Sequence, residues 1–267
     1  MEALFALLFG LLIGSFLNVC IYRWPLDLSV VRPRSYCPKC EAPIAAWDNI
    51  PLVSYIVLAG KCRKCGVRIS PRYPLVEFAT GALFFYFVAR LGPTLLAFKM
   101  CCFSAMILAL IFTDLEERIL PDEFTLGGTV LGLVFSALVP FKPEMMVAPV
   151  FFWPFGVELS GRWASIAESA AGALIPSLSL WGGGWLYFKI RQREGLGFGD
   201  VKLIAMVGSF LGLQGALQTL IVGSVAGSIL GFAYIKITRQ DPSAYELPFG
   251  TFLGAATLLL AIVFPRM

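Results

Sequence analysis

Long apolar runs, broken by short segments that carry the charges and prolines, constrain this chain more than anything else in it. A helix needs about 20 apolar residues to cross a bilayer. Eight runs approach that length, at roughly 3–21, 75–91, 94–113, 124–140, 164–188, 201–214, 216–236 and 248–265. The sixth and seventh are divided only by Gln214 and Gly215. With 58% hydrophobic and 14% charged residues, the chain has too little polar surface for a soluble domain of its size. Leu, Phe, Gly and Ala fill the runs without the strict alternation of barrel strands, so they read as helices. The first run lacks a basic leading segment and a small-residue cleavage site, and reads as a retained span. No internal repeat or low-complexity tract is apparent.

Basic residues orient these spans. With the amino terminus outside, only Arg90, Lys99, Lys142, Arg162 and Arg266 of the 21 Lys and Arg residues fall outside, as the positive-inside rule prefers. Lys99 lies within the third span, and its long side chain is expected to snorkel to the interface. The outer loop, about 141–163, carries FFWPF, whose rings suit interfacial anchoring.

The first inner loop, residues 22–74, is the one substantial polar module. It contains Cys37-Pro-Lys-Cys40 and Cys62-Arg-Lys-Cys65 with 21 residues between the pairs. This spacing is that of a zinc ribbon, slightly beyond its usual inner length. Cys37, Cys40, Cys62 and Cys65 are the expected metal ligands, with a redox pair or an empty site as alternatives. Four thiolates close a zinc shell, so the metal would be structural. Cys20, Cys101 and Cys102 sit in apolar runs and are expected to pack there. The expected architecture is an all-α polytopic membrane protein of about eight transmembrane helices with a small cytoplasmic zinc-ribbon-like loop domain. Its parts are a first span (1–21), the cysteine module (22–74) and a membrane domain (75–267).

The chain has no histidine. Ser-His-Asp and Cys-His catalysis, and the helical His-Glu-x-x-His zinc site, are thereby excluded. Acid–base chemistry falls to carboxylates, Lys, Tyr or Cys. Two aspartates stand at the mouths of apolar runs, where a charge is costly and tends to be functional. Asp114 ends the third run, and Asp200, in GLGFGDVK (195–202), starts the sixth. The orientation places both at the inner surface. Either they are span-end residues, Asp200 favoured by the helix dipole, or they meet. Two carboxyls within a hydrogen bond cannot both ionise, and share a proton. Such a pair can activate water and polarise a peptide carbonyl. Asp122, after Pro121, is expected to cap the fourth span beside Thr125. Glu116, Glu117 and Glu123 read as a solvated face, or as contacts for a basic substrate segment.

Several blocks, taken in order, resemble the type IV prepilin peptidases, a GxGD family of membrane aspartic proteases. They are GSFLNVCIYRWP (14–25), the paired CxxC knuckles, ISPRYPLVEF (69–78), TDLEERILPD (113–122), GLGFGDVKLIAMVG (195–208) and PFGTFLG (248–254). The resemblance implies cleavage of basic leaders from prepilins and type II secretion pseudopilins at the cytoplasmic face of the bacterial inner membrane. It puts Asp114 and Asp200 at the two catalytic positions. It also implies N-methylation of the new amino terminus from S-adenosylmethionine, although no glycine-rich strand–turn–helix fingerprint marks a donor site. The rival readings are a general intramembrane protease without methyltransferase activity, and a transporter whose aspartates relay protons.

Overall fold

The computed structural model describes residues 1–149, 159–193, 195–238 and 247–265. Its helices are α1 (Glu2–Arg23), the short α2 (Val53–Val57), α3 (Arg72–Leu91), α4 (Leu95–Glu117), α5 (Asp122–Leu138), α6 (Gly161–Arg191), α7 (Phe198–Thr238) and α8 (Phe249–Val263). Among the described residues there is no strand, only two isolated β-bridges. Among the described residues, four stretches are long and apolar enough to cross a membrane: Glu2–Leu26, α3, α4 and α7. The helices α5 and α8 are shorter, at 17 and 15 residues. The FFWPF segment expected to anchor the outer loop lies outside the described residues.

The chain divides into two compact units, Met1–Ala109 and Leu110–Met267. In the first, α1 and α3 pack along a stripe of small residues. A Cβ at Gly10 would lie 2.8 Å from Gly81 Cα, and one at Gly14 would lie 2.7 Å from Glu77 Cα. One turn further on, Asn18 Nδ2 donates to the Tyr73 carbonyl at 3.0 Å. Positions 10, 14 and 18 thus meet 81, 77 and 73, so the two helices run antiparallel with their backbones nearly touching. Small residues spaced by four are what permit such an approach. Lys99, expected to snorkel, is instead 1% exposed. Its position on α4 turns it into the protein, a facing that its distance from the span end cannot reveal.

In the second unit, α7 is the central element and packs against α5, α6 and α8. Gly172 of α6 meets Gly208 and Gly212 of α7 backbone to backbone. Gly128 and Gly132 of α5 receive Met206 and Ser209. On the second half of α7, Gly223, Gly227 and Gly231 face Leu253, Phe252 and Leu247.

The break between the sixth and seventh runs falls at Gly212, not at Gln214–Gly215. Gly212 adopts φ 73°, ψ −177°, a conformation essentially reserved for glycine. The break exposes the N–H groups that begin the second half of α7, and Glu168 of α6 supplies an acceptor. Its Oε1 accepts from Leu213 N at 2.8 Å. Its Oε2 accepts from Val147 N at 2.7 Å and Ala148 N at 2.6 Å. Glu168 is 0% exposed, so these donors have no access to water. Counting α7 as two, the eight expected apolar runs correspond to eight helical segments.

Orphaning a buried donor costs about 1–3 kcal/mol, so Glu168→Ala is expected to lower stability by at least about 3 kcal/mol. Thermal unfolding in detergent measures this. Gly127→Ala is the control: a Cβ there meets nothing within 4 Å, and this variant is expected to unfold at or slightly above the wild-type temperature.

Candidate active site and metal centre

The last turns of α4 carry Asp114 into the interior of the second unit, where it is 6% exposed. The helix ends at Arg118, whose φ of 58° turns the chain and whose N–H donates to the Asp114 carbonyl at 3.1 Å. Residues 115–119 are exposed, and Leu120 and Pro121 return to the interior before α5. Across from them α8 begins. Thr251 N donates to Asp114 Oδ2 at 2.6 Å, and Thr251 Oγ1 donates to the same oxygen at 2.8 Å. One carboxylate oxygen is therefore fixed by two donors from one residue. Asp114 Oδ1 accepts nothing from the described residues.

Asp200 occupies the first turn of α7, where the helix dipole favours an acid, and is 8% exposed. Its N–H donates to the Gly197 carbonyl at 3.2 Å. Its carboxyl accepts no hydrogen bond from the described residues, although it is nearly buried.

Leu120 ties the two acids together. A Cβ at Gly199 would lie 3.2 Å from Leu120 Cβ, and one at Gly250 would lie 3.0 Å from Leu120 Cδ1 and 3.1 Å from Asp114 Cγ. The residue before Asp200 and the residue beside Asp114 thus close on the same side chain. A Cβ at either position would be tight against its neighbours. The end of α4 and the starts of α5, α7 and α8 all meet at this one end of the unit.

Asp122 does something other than cap. Helix α5 begins at Asp122 itself, after Pro121, and no side-chain cap bond forms. Its Oδ1 pairs with Lys202 Nζ at 2.5 Å, pinning the start of α5 to the start of α7. The lysine also lies over the Phe198 ring at 4.9 Å. Glu116, Glu117 and Glu123 are exposed, as a solvated face requires. Thr251 and Glu168 were not singled out in the sequence; a hydroxyl or a lone acid inside an apolar run carries no local sign of its partner.

In the first unit, the four cysteine Sγ atoms lie within 4.8 Å of one another, with Cys37 and Cys65 at 3.9 Å. Tetrahedral thiolate ligation at about 2.3 Å requires sulfurs about 3.8 Å apart, so the donor set fits a metal ion. The geometry also exposes a repeat that the sequence conceals. Glu41 N donates to Cys37 O, and Gly66 N to Cys62 O, at 2.8 and 2.9 Å. Cys37 N donates to Ala42 O, and Cys62 N to Val67 O, at 2.9 and 2.8 Å. Ile44 N–Ser35 O and Ile69 N–Gly60 O follow at 2.9 and 2.7 Å. Each knuckle turns through a left-handed residue, Glu41 at φ 54° and Gly66 at φ 70°. The two copies share little beyond cysteine, lysine and isoleucine, because the turn is held by backbone bonds. Backbone N–H groups of Cys65 and Lys64, pointed at the Cys62 sulfur, pull its thiol down to about 6. Arg63 holds Asp48 below its usual range through bonds of 2.8 and 2.7 Å, bracing the second knuckle.

Residues 8–91 match the bacterial peptidase A24 N-terminal domain, and residues 101–232 match the type IV leader peptidase family. The chain belongs to the type IV leader peptidase family. A Stutzerimonas stutzeri relative is 33% identical over 94% of this chain and 87% of its own. One from Burkholderia pseudomallei is 34% identical over 99% and 87%. One from Pseudomonas aeruginosa is 34% identical over 94% and 86%. Each is named a prepilin leader peptidase/N-methyltransferase. No solved structure matches the chain. Family membership makes this chain a peptidase, so a histidine-free site with two buried aspartates is the one to examine for its chemistry.

Replacing Cys37 and Cys62 by Ser is expected to reduce bound divalent metal from about one per chain to near zero, read by elemental analysis of purified protein. Protease cuts should then appear within residues 36–69. Unchanged metal content would remove the thiolates as ligands.

Proposed function

We propose that this protein removes the basic leader from type IV prepilins and type II secretion pseudopilins and methylates the amine that cleavage frees. The observation that carries the peptidase reading is the pair of buried acids, Asp114 and Asp200, brought to one end of the second unit from distant helices. Thr251 holds Asp114 in a fixed orientation, and the Asp200 carboxyl is left available to a ligand. One carboxylate takes a proton from water as its oxygen attacks the scissile carbonyl carbon. The other carboxyl, protonated, donates to the carbonyl oxygen. Collapse of the tetrahedral adduct breaks the C–N bond. The leader leaves with a new carboxylate, and the mature chain leaves with a new amine.

The eight helical segments are read as spans, with the amino terminus outside. This orientation sets the acid-bearing end of the second unit at the cytoplasmic surface of the inner membrane. Residues 22–74 form a cytoplasmic module, and the peptidase domain runs from 75 onward. Exposed Glu116, Glu117 and Glu123 draw in the Lys and Arg of the leader. The metal is zinc, and its closed thiolate shell keeps it structural. S-adenosylmethionine supplies the methyl group; no residue is assigned to its binding, since the described residues contain no strand–turn–helix nucleotide site.

The test is incubation of purified protein with a prepilin and, separately, with an unrelated single-span protein, followed by mass mapping of the products. Cleavage of the prepilin alone, just before its apolar helix, is expected. Cuts inside both helices would instead indicate a general intramembrane protease. Asp114→Asn and Asp200→Asn are each expected to abolish cleavage while accumulating normally in membranes. Asp122→Asn loses only the Lys202 ion pair and is expected to keep most of the activity. Normal processing by either of the first two variants would refute the dyad.

A further inference from the structure

A cavity of about 310 Å³ in the first unit contains neither aspartate nor any of the four cysteines in its lining, and its size is within the range of ligand sites. One wall is Leu12, Ser15, Phe16, Val19 and Arg23 of α1. Their spacing places them on one face of the helix, a stripe about 16 Å long at the α-helical rise. It is not the glycine stripe that meets α3. The other wall comes from Val30, Val31, Pro33, Arg34 and Ser35, with Asn49. The groove is graded. Leu12 and Phe16, both exposed, lie at one end, and Arg23 and Arg34 lie at the other.

Arg23 gives the groove its charge. It is 5% exposed, and its guanidinium donates to the carbonyls of Ser29 and Pro33 at 2.8 Å and of Arg34 at 3.5 Å. No carboxylate among the described residues pairs with it. Neutral carbonyls satisfy its N–H groups but leave a buried positive charge uncompensated, which is costly unless an anion joins it. The exposed Arg34 side chain adds a second positive charge at the rim.

We propose that this groove binds an anionic phospholipid of the inner leaflet. Its phosphate sits at the Arg23–Arg34 end, and an acyl chain lies along Leu12, Phe16 and Val19. A cationic head joined to an apolar trough along a span complements that amphiphile, and basic pockets at the cytoplasmic ends of spans suit anionic headgroups. The proposal uses the orientation given above, which puts the end of α1 at the inner surface. A free anion would leave the apolar trough unfilled.

Native mass spectrometry of the full chain in detergent, with phosphatidylglycerol or phosphatidylcholine added, tests the assignment. Phosphatidylglycerol should be retained in preference to phosphatidylcholine. Arg34→Glu reverses the rim charge but leaves the backbone carbonyl that Arg23 uses, and should weaken retention at least about five-fold. Val19→Trp fills the trough and should weaken it similarly. Equal retention of both lipids, or unchanged retention by both variants, overturns the proposal. So does displacement of phosphatidylglycerol by equimolar S-adenosylmethionine, which would make the groove a donor site. Prepilin cleavage by the same preparation reports separately on the aspartates, so the two readings fail independently.

Discussion

Helices in lipid gain little by burying apolar side chains against one another, because the surrounding chains are equally apolar. Close backbone packing and internal polar contacts must supply the association. Both devices are written along this chain. Gly10, Gly14 and Gly81 bring α1 onto α3; Gly172, Gly208 and Gly212 bring α6 onto α7; and Gly223, Gly227 and Gly231 bring α7 onto α8. Where the glycines bring backbones together, single polar groups lock the arrangement, Asn18 in the first unit and Glu168 in the second. The same logic builds the site. Gly199 and Gly250 let two helix starts close on Leu120, and Thr251 then reaches Asp114. A side chain at either glycine would crowd Leu120, and one at Gly250 would crowd the Asp114 carboxyl as well.

This arrangement puts the two buried aspartates and the cysteine knuckles in different units. The aspartates sit in the second unit, where helix ends converge. The cysteine knuckles sit in the first, on a segment too short to build a core. Backbone hydrogen bonds shape the knuckles there, and the gathered sulfurs could hold a metal that would stand in for hydrophobic burial. The ion pair between Asp122 and Lys202 joins the starts of α5 and α7 at the polar corner.

Much of this was legible in the sequence, and the failures have physical causes. Apolar run length revealed the helices, because a membrane helix must satisfy its own backbone wherever it sits. Charge at run ends singled out Asp114 and Asp200, which the fold brings to one end of the second unit. Cysteine spacing singled out four thiols that the fold brings within 4.8 Å of one another. Missed features depend on partners far along the chain. The break at Gly212 is completed by Glu168, 44 residues earlier, and Thr251 finds Asp114 across 137 residues. Lys99 was misjudged because its distance from a span end says nothing about which face it occupies. The knuckle repeat went unseen because backbone geometry repeats there while side chains mostly do not. Asp122 looked like a cap from its place after Pro121, but the helix begins one residue earlier than that reading needed.

The account stands on Asp114 and Asp200 occupying one corner of the second unit. The most direct measurement is proximity cross-linking in native membranes. Cysteines would be introduced as Asp114→Cys and Asp200→Cys, with Cys20, Cys101 and Cys102 replaced by Ala, and joined by the shortest bifunctional thiol reagent. A second chain pairing Asp114→Cys with Ser165→Cys, toward the opposite end of the unit, serves as the reference. The account predicts a 114–200 cross-linked peptide by mass spectrometry and none between 114 and 165. Absence of the 114–200 product, or its formation no faster than the reference pair, would contradict it.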